Sequence, residues 1–453
     1  MTAGAAPVRT EKAGPTERIW NIPDRSVGLA GHRQLLAAVH RTLRAGERAL
    51  LCTDARRAGT GATTAAVEFA HRHARDYDVA WWIPAADPEL VPIELAELAE
   101  ALGLARVTDD AEAATSRLLD ALRHRDRYLL VFDDAENPRQ LARFLPPGAG
   151  DVVIVSADPA WRTHATAHPV DPFTRAESVA LLRARRPDLP VDVAARFAAA
   201  LADLPLAVDT AATLLAASGT DVEQLLRRLD RIGHDGRPDP AAAVWDVAFD
   251  HLAAEDPAAL ALLALVAWLG PGPVPLHLVT DHPHALPPVL ADVARDPAAF
   301  NRLTADLRRR GSARVGVESM ALHRVPAALL VARTAAEHCG GAADGWAGVA
   351  IRLLRAAVPA DLDTTAGWAT WRRMLPLVLA ATDPARHLGQ AAADAGWLLR
   401  DAARYLNARG QCRAAVRLSR DADDLFAVRP SSEGPAARVR PAKPTPFPRR
   451  RDT

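Results

Sequence analysis

The chain has 453 residues, 49% of them hydrophobic, with 55 basic residues set against 55 acidic ones. This length and apolar content support several domains with sizeable cores, and the even charge removes any general field drawing the chain toward nucleic acid or an anionic membrane. Cys52, Cys339 and Cys412 have no paired spacing, and the longest apolar run, "ALALLALVAWLG", is too short to cross a bilayer; a reducing cytoplasm without membrane contact is the expected setting.

Residues 1–18 are polar with Pro and Gly, and read as a disordered arm. Folding begins near Ile19, where Leu35, Leu36, Val39 and Leu43 recur at a helical period. Short apolar runs, "ALLCT", "VAWWIPA", "YLLVFDD" and "DVVIVSA", then alternate with amphipathic stretches beginning at Ala62, near Pro88 and near Ala111. Alternation of this kind predicts an α/β domain over 19–172 with a parallel sheet covered by helices on both faces. The tryptophan pairs of "VAWWIPA" and "WATWRRMLP" are read as core.

From 173 to 235 the pattern is helical only, opened by a capping box between Thr174 and Glu177. "GHDGRPDPAA" reads as a linker. Over 241–333 helices end in two short alternating runs, "SARVGVESMALHR", which suggests a winged helix. The stretch 342–428 is helical again, and "WLLRDAARYLNARGQCRAAVRLSRDADDL" has the spacing of one tetratricopeptide-type helix pair, a unit that needs stacked neighbours. Residues 429–453 are rich in Pro and Arg and read as a disordered basic tail.

One stretch carries chemistry. "DARRAGTGATTAA" follows an apolar strand and enters a helix, the setting of a phosphate-binding P-loop, G-x-x-x-x-G-K-[ST]. Gly61 takes the second glycine and Thr63 the hydroxyl, whereas Arg56 replaces the first glycine and Ala62 the lysine. The acidic counterpart, a hydrophobic strand ending in a carboxylate for Mg²⁺, is "YLLVFDD", with Asp133 as the metal residue and Asp134 beside it to polarise water if hydrolysis occurs.

Taken in order, "GLAGHRQLL", "GTGATTAAVEFAHRHARDYDVAWWIPA", "YLLVFDDAENPRQLARFLPPG", "DVVIVSADPAW" and "ADLPLAVDTAA" make a chain that resembles the NB-ARC branch of the STAND nucleotide-switch family. It is similar in particular to bacterial members in which a winged helix and tetratricopeptide repeats follow, over roughly Ile19 to Leu425. The resemblance implies an ADP-closed switch. Gly59, Gly61, Thr63 and Thr64 would line the phosphates, Asp133 would serve Mg²⁺, Pro205 would lie on the adenine side, and His323 in "LHRV" would reach the β-phosphate.

Departures from that pattern are Ala62 for the lysine, Ala157 for a γ-phosphate-sensing arginine, and Asp203 for the glycine of "GLPLA". They imply a pseudo-NTPase that holds ADP or ATP with Mg²⁺ weakly, hydrolyses neither, uses no other cofactor, and signals by conformation through protein contacts of its C-terminal helices. An active version would be a P-loop ATPase. The rival readings are a nucleotide-free interaction scaffold and a DNA-binding winged helix with Arg308, Arg309 and Arg310 on phosphates. No nucleophile elbow appears. The histidines of "EFAHRHARDY" and "DHPHALP" have no carboxylate or cysteine at a metal-diagnostic spacing.

Overall fold

The computed structural model describes residues 18–25, 32–53, 60–217, 222–227, 240–270, 272–335, 345–359, 365–386 and 388–427. The arm up to residue 17, the basic tail, most of the linker, Cys339, and the loop residues Asp54 to Gly59 lie outside them.

Six strands form one wholly parallel sheet: β1 (Ile19–Trp20), β2 (Ala49–Cys52), β3 (Val79–Pro84), β4 (Tyr128–Asp133), β5 (Asp151–Ser156) and β6 (Thr166–Pro169), in the spatial order β1-β3-β4-β5-β2-β6. The four central strands are apolar between their ends, where Asp133, Asp151 and Ser156 stand, because both of their faces are covered. Val79, Trp81 and Ile83 point to one side with Tyr128, Leu130 and Phe132, while Ala80, Trp82, Leu129 and Val131 point to the other. Helices Arg33–Arg44 and Ala62–Arg72 pack on this second face through Leu36, Val39, Leu43, Ala66 and Phe69. Helices Val91–Ala101 and Ala111–Leu122 cover the first. The chain is thus an α/β P-loop fold followed by a helical region.

Two strands of this sheet were not foreseen from sequence. β1 has two residues, and β6 is "TAHP", partly exposed at the sheet edge and paired only with β2. An edge strand needs no apolar run, since one side of its backbone faces no neighbour.

Helices Arg175–Arg185, Val191–Ala200 and Pro205–Ala217 enclose a second core around Leu182, Phe197 and Val208. The Thr174 hydroxyl accepts from Glu177 N–H and the Glu177 carboxylate accepts from Thr174 N–H, so both orphan donors are satisfied. Beyond them, helices Pro240–Glu255 and Pro257–Leu269 lead to helices Leu276–Thr280, Pro288–Ala294 and Pro297–Arg309, which stand beside a small antiparallel sheet. Its strands are β7 (Val274–Pro275), β8 (Arg314–Val315) and β9 (Ser319–Ala321), with β9 central. The two alternating runs are β8 and β9; β7 adds a third strand from the Pro-rich turn.

The last helices, Gly345–Ala357, Thr365–Ala381, Ala392–Ala408 and Cys412–Ala427, share one continuous core with the sheet's first face. The neighbour that the final helix pair needs is therefore partly the α/β domain. Arg372 meets Glu97 and Glu100 at 3.5 and 2.9 Å, Arg409 meets Glu100 at 3.1 Å, and Arg417 meets Asp87 and Glu89 at 2.7 and 2.8 Å. The turn between the last two helices also docks there, with Ala111 N–H donating to the Arg409 carbonyl at 3.2 Å. Gly410 at this turn has φ +79°, and a Cβ would lie 1.6 Å from Asp110 Oδ2, so only glycine fits.

Candidate functional site

In an open parallel sheet, ligands sit beyond the carboxyl ends of the strands. Here β2 and β4 are separated by β5, and the helix leaving β2 brings its first turn toward the end of β4. Gly61 precedes that helix with φ 88° and ψ 22°, a left-handed conformation that glycine adopts without a Cβ penalty. Thr63 Oγ1 then donates to Asp133 Oδ1 at 3.1 Å. The two oxygens lie close to the ~2.9 Å separation expected of neighbouring ligands on an octahedral Mg²⁺ with 2.0–2.1 Å bonds, so hydroxyl and carboxylate fit that ion. Both would hold Mg²⁺, which when bound would neutralise phosphate charge. Thr64 follows, partly exposed, while Ala62 is buried at 4% exposure where a P-loop lysine would stand.

Burial, and after it the adjacent Asp134 carboxylate, push the Asp133 carboxyl up to about 7. Without a cation the group is therefore poised between its two protonation states near neutrality. Asp134 adopts φ 59°, which is costly for a residue with a Cβ. Its loop is pinned from several sides: Ala135 N–H donates to Val155 O at 3.0 Å, and the Ala135 carbonyl accepts from Ser156 Oγ at 2.7 Å and from the Trp161 indole. Ala157, where the sensing arginine was expected, follows directly after β5 and is partly exposed.

Pro205 opens its helix against the loop, 3.8 Å from where a Gly61 Cβ would be. Opposite lies His32, whose Nε2–H donates to the Thr60 carbonyl at 3.2 Å and whose ring meets Phe173 at 5.2 Å between centroids. Burial lowers its pKa, so this imidazole is held neutral. Asp203, in the glycine place of "GLPLA", has φ 53°, the region where glycine is favoured, and is gripped by Arg175 through contacts of 2.9 and 2.6 Å.

From the distal half of the chain, the Arg324 guanidinium bonds both oxygens of Asp134, across 190 residues of sequence. His323 caps helix Arg324–Thr334, its Nδ1 accepting Val325 N–H at 3.4 Å, which leaves the proton on Nε2. Burial, with Arg314 and Arg324 nearby, pushes its pKa down to about 4, so it is a neutral N–H donor at physiological pH. Gly61, Thr63, Asp133 and Pro205 thus gather around one corner, and His323 arrives beside Asp134 through Arg324. Gly59 lies outside the described residues.

Sequence reasoning missed His32 and Arg324. His32 lies in the quoted "GLAGHRQLL" and Arg324 in "LHRV", but neither type marks a role until the fold shows what it touches. Of the proposed DNA-contacting arginines, Arg310 is engaged by Glu255 at 2.8 Å and Arg309 by Asp306. His73 of "EFAHRHARDY" does have a carboxylate nearby, Asp76, together with His40 from another helix.

No family model matches the chain, and no curated protein does. Among solved structures, it is similar to a signal transduction ATPase with numerous domains (STAND) protein with a tetratricopeptide repeat sensor from Pyrococcus horikoshii, at 12% identity and a TM-score of 0.52. That similarity covers 89% of this chain and 59% of the other, so the chain spans somewhat over half of its neighbour's length. A Walker-type ATPase of Pyrococcus abyssi aligns at 12% identity over 68% of this chain and 98% of that one, with a TM-score of 0.35. The likeness to the Pyrococcus horikoshii protein is one of fold, an α/β P-loop domain followed by a helical region.

Proposed function

We propose that the chain is a STAND-like conformational switch of the NB-ARC type, cytoplasmic, whose ADP- or ATP-binding module with Mg²⁺ is weak and non-hydrolytic, and which signals through protein contacts of its C-terminal helices. Its units are a nucleotide module over 19–172, a helical subdomain over 173–235, a winged helix over 241–333 and tetratricopeptide-like helices over 342–428. The observation that carries this reading is the Thr63–Asp133 hydrogen bond at 3.1 Å, which joins a hydroxyl from the loop helix to the strand-end carboxylate although the lysine is missing. A helix N-terminus with Gly61 before it still attracts phosphate through backbone N–H groups. Loss of the lysine removes the side-chain charge that stabilises a transferring phosphoryl group, which is why hydrolysis is not part of the proposal.

The test is to denature purified protein and identify released nucleotide, then to measure melting temperature with added ADP or ATP and Mg²⁺. Stoichiometric ADP, or a rise in melting temperature, supports the switch. An empty protein whose melting point no nucleotide moves supports the second reading, a nucleotide-free scaffold. What favours that rival is the Arg324–Asp134 pair, which ties the two halves together by an ion pair between side chains.

A further inference from the structure

The opposite end of the loop helix carries a second cluster. His73 ends helix Ala62–Arg72, and its ring stacks on His40 of helix Arg33–Arg44 with centroids 4.2 Å apart and planes 17° from parallel. Asp76, in the short turn that follows, places Oδ2 at 3.4 Å from His73 Nδ1. One ligand atom from each of the three residues falls within 4.8 Å of the others. Arg44 closes the group: its guanidinium stands 3.4 Å from Asp76 Oδ2, and its Nε–H donates to His40 Nε2, also at 3.4 Å. A cation therefore already occupies the point on which the carboxylate and an imidazole lone pair converge. Asp151, another acid nearby, is engaged by the Tyr77 hydroxyl at 2.5 Å.

We propose that His40, His73 and Asp76 form a binding site for a divalent transition metal of the zinc class, which enters by displacing the Arg44 guanidinium. Two imidazoles and one carboxylate suit Zn²⁺, with bonds of about 2.0–2.2 Å. Those lengths require ligand atoms about 3.4 Å apart in a tetrahedron, a contraction that the partly exposed side chains of His40 and Asp76 supply by rotation. Three protein ligands leave a fourth position facing solvent. Bound metal would clamp the two helices that cover one face of the sheet. The cluster sits an 11-residue helix, about 16 Å, from Gly61, so it is separate from the phosphate corner.

The experiment is calorimetric titration of the full chain with Zn²⁺ against a competing chelator, with melting temperature measured in parallel. One equivalent is expected to bind and raise the melting temperature. His40→Gln and His73→Gln should each weaken binding at least about tenfold and abolish that rise, while a His282→Gln/His284→Gln control leaves both unchanged. Arg44→Ala, at a side chain 61% exposed and so harmless to folding, should tighten Zn²⁺ binding severalfold. No binding to the parent chain, or equal binding by parent, His40→Gln and His73→Gln proteins, overturns the site. An Arg44→Ala protein that binds no tighter overturns the displacement.

Discussion

Thr63 Oγ1 donates to Asp133 Oδ1 at 3.1 Å, so the first turn of the loop helix and the end of β4 are joined directly by a hydrogen bond. Because Asp133 is pushed up to about 7, against an ordinary 3.8, the folded chain binds this proton more tightly than the unfolded chain. The group's contribution to stability is present in full below pH 3.8 and is lost as pH rises from there through 7. Asp133→Asn should therefore raise the melting temperature of nucleotide-free protein at pH 8 by about 2 °C or more, and have a clearly smaller effect at pH 5. Glu94, also pushed up to about 7 by burial, keeps a residual dependence of the same sign. The same substitution should remove any Mg²⁺ requirement for nucleotide binding; a thermal melt at the two pH values, with and without Mg²⁺ and ADP, checks both.

Ala62→Lys should tighten ADP binding by about tenfold. The buried Ala62 position suits a lysine's apolar stem, and an ammonium there would reach the phosphates from the helix start. Calorimetric titration decides: equal affinity in variant and parent would mean that the loop backbone does not present phosphates to this position.

Arg324→Ala should expose the junction between the α/β domain and the distal half to protease, because it releases the Asp134 carboxylate. The pair is partly exposed, so raising salt should act on the parent chain in the same direction. His323→Ala should show the loss more strongly with ADP present than without it, since its Nε2–H is the donor left for phosphate. Identical digestion of parent and both variants would count against a clasp at this place.

Asp203 and Asp134 are both non-glycine residues at positive φ. For Asp203 the ion pair with Arg175 offsets backbone strain, so Asp203→Ala loses the pair and keeps the strain, at about 1–2 kcal/mol. Asp203→Gly loses the pair but relieves the strain, and should remain close to the parent in chemical denaturation. The reverse ranking would mean that the ion pair contributes little.

Gly410→Ala should detach the final helix pair, since its Cβ would collide with Asp110 Oδ2 and the backbone would be strained at φ +79°. Earlier proteolysis within 388–427 and a lower melting temperature are expected, whereas an exposed control such as Arg404→Ala should leave both unchanged.

The central strands are legible in sequence because burial on both faces leaves runs such as "YLLVFD" with no polar residue before the terminal Asp. β6 is not, because "TAHP" gains its place from β2 rather than from its own composition. Thr63 and Asp133 stand at motif positions set by a turn and a strand end, which local pattern reveals. Arg324, His32 and the His40–His73–Asp76 cluster depend on which distant surfaces meet, and one arginine or histidine among many has no periodicity to betray it. Asp203 is instructive: its departure from glycine reads as damage in sequence, yet Arg175, 28 residues earlier, supplies the compensation.

Glu100 and Arg409 bond across 309 residues, and this dictates an order of events during synthesis. The sheet's own contacts are complete once β6 has been made, but the acidic outer side of helix Val91–Ala101 must wait for Arg372 and Arg409 to be translated, and Asp87 and Glu89 just before it for Arg417. Closure of so long a loop is slow compared with formation of the local βα units. Until the last helix pair emerges, the nascent chain carries a folded sheet with one flank open to water, and it is in that interval that aggregation or chaperone capture competes with completion of the fold.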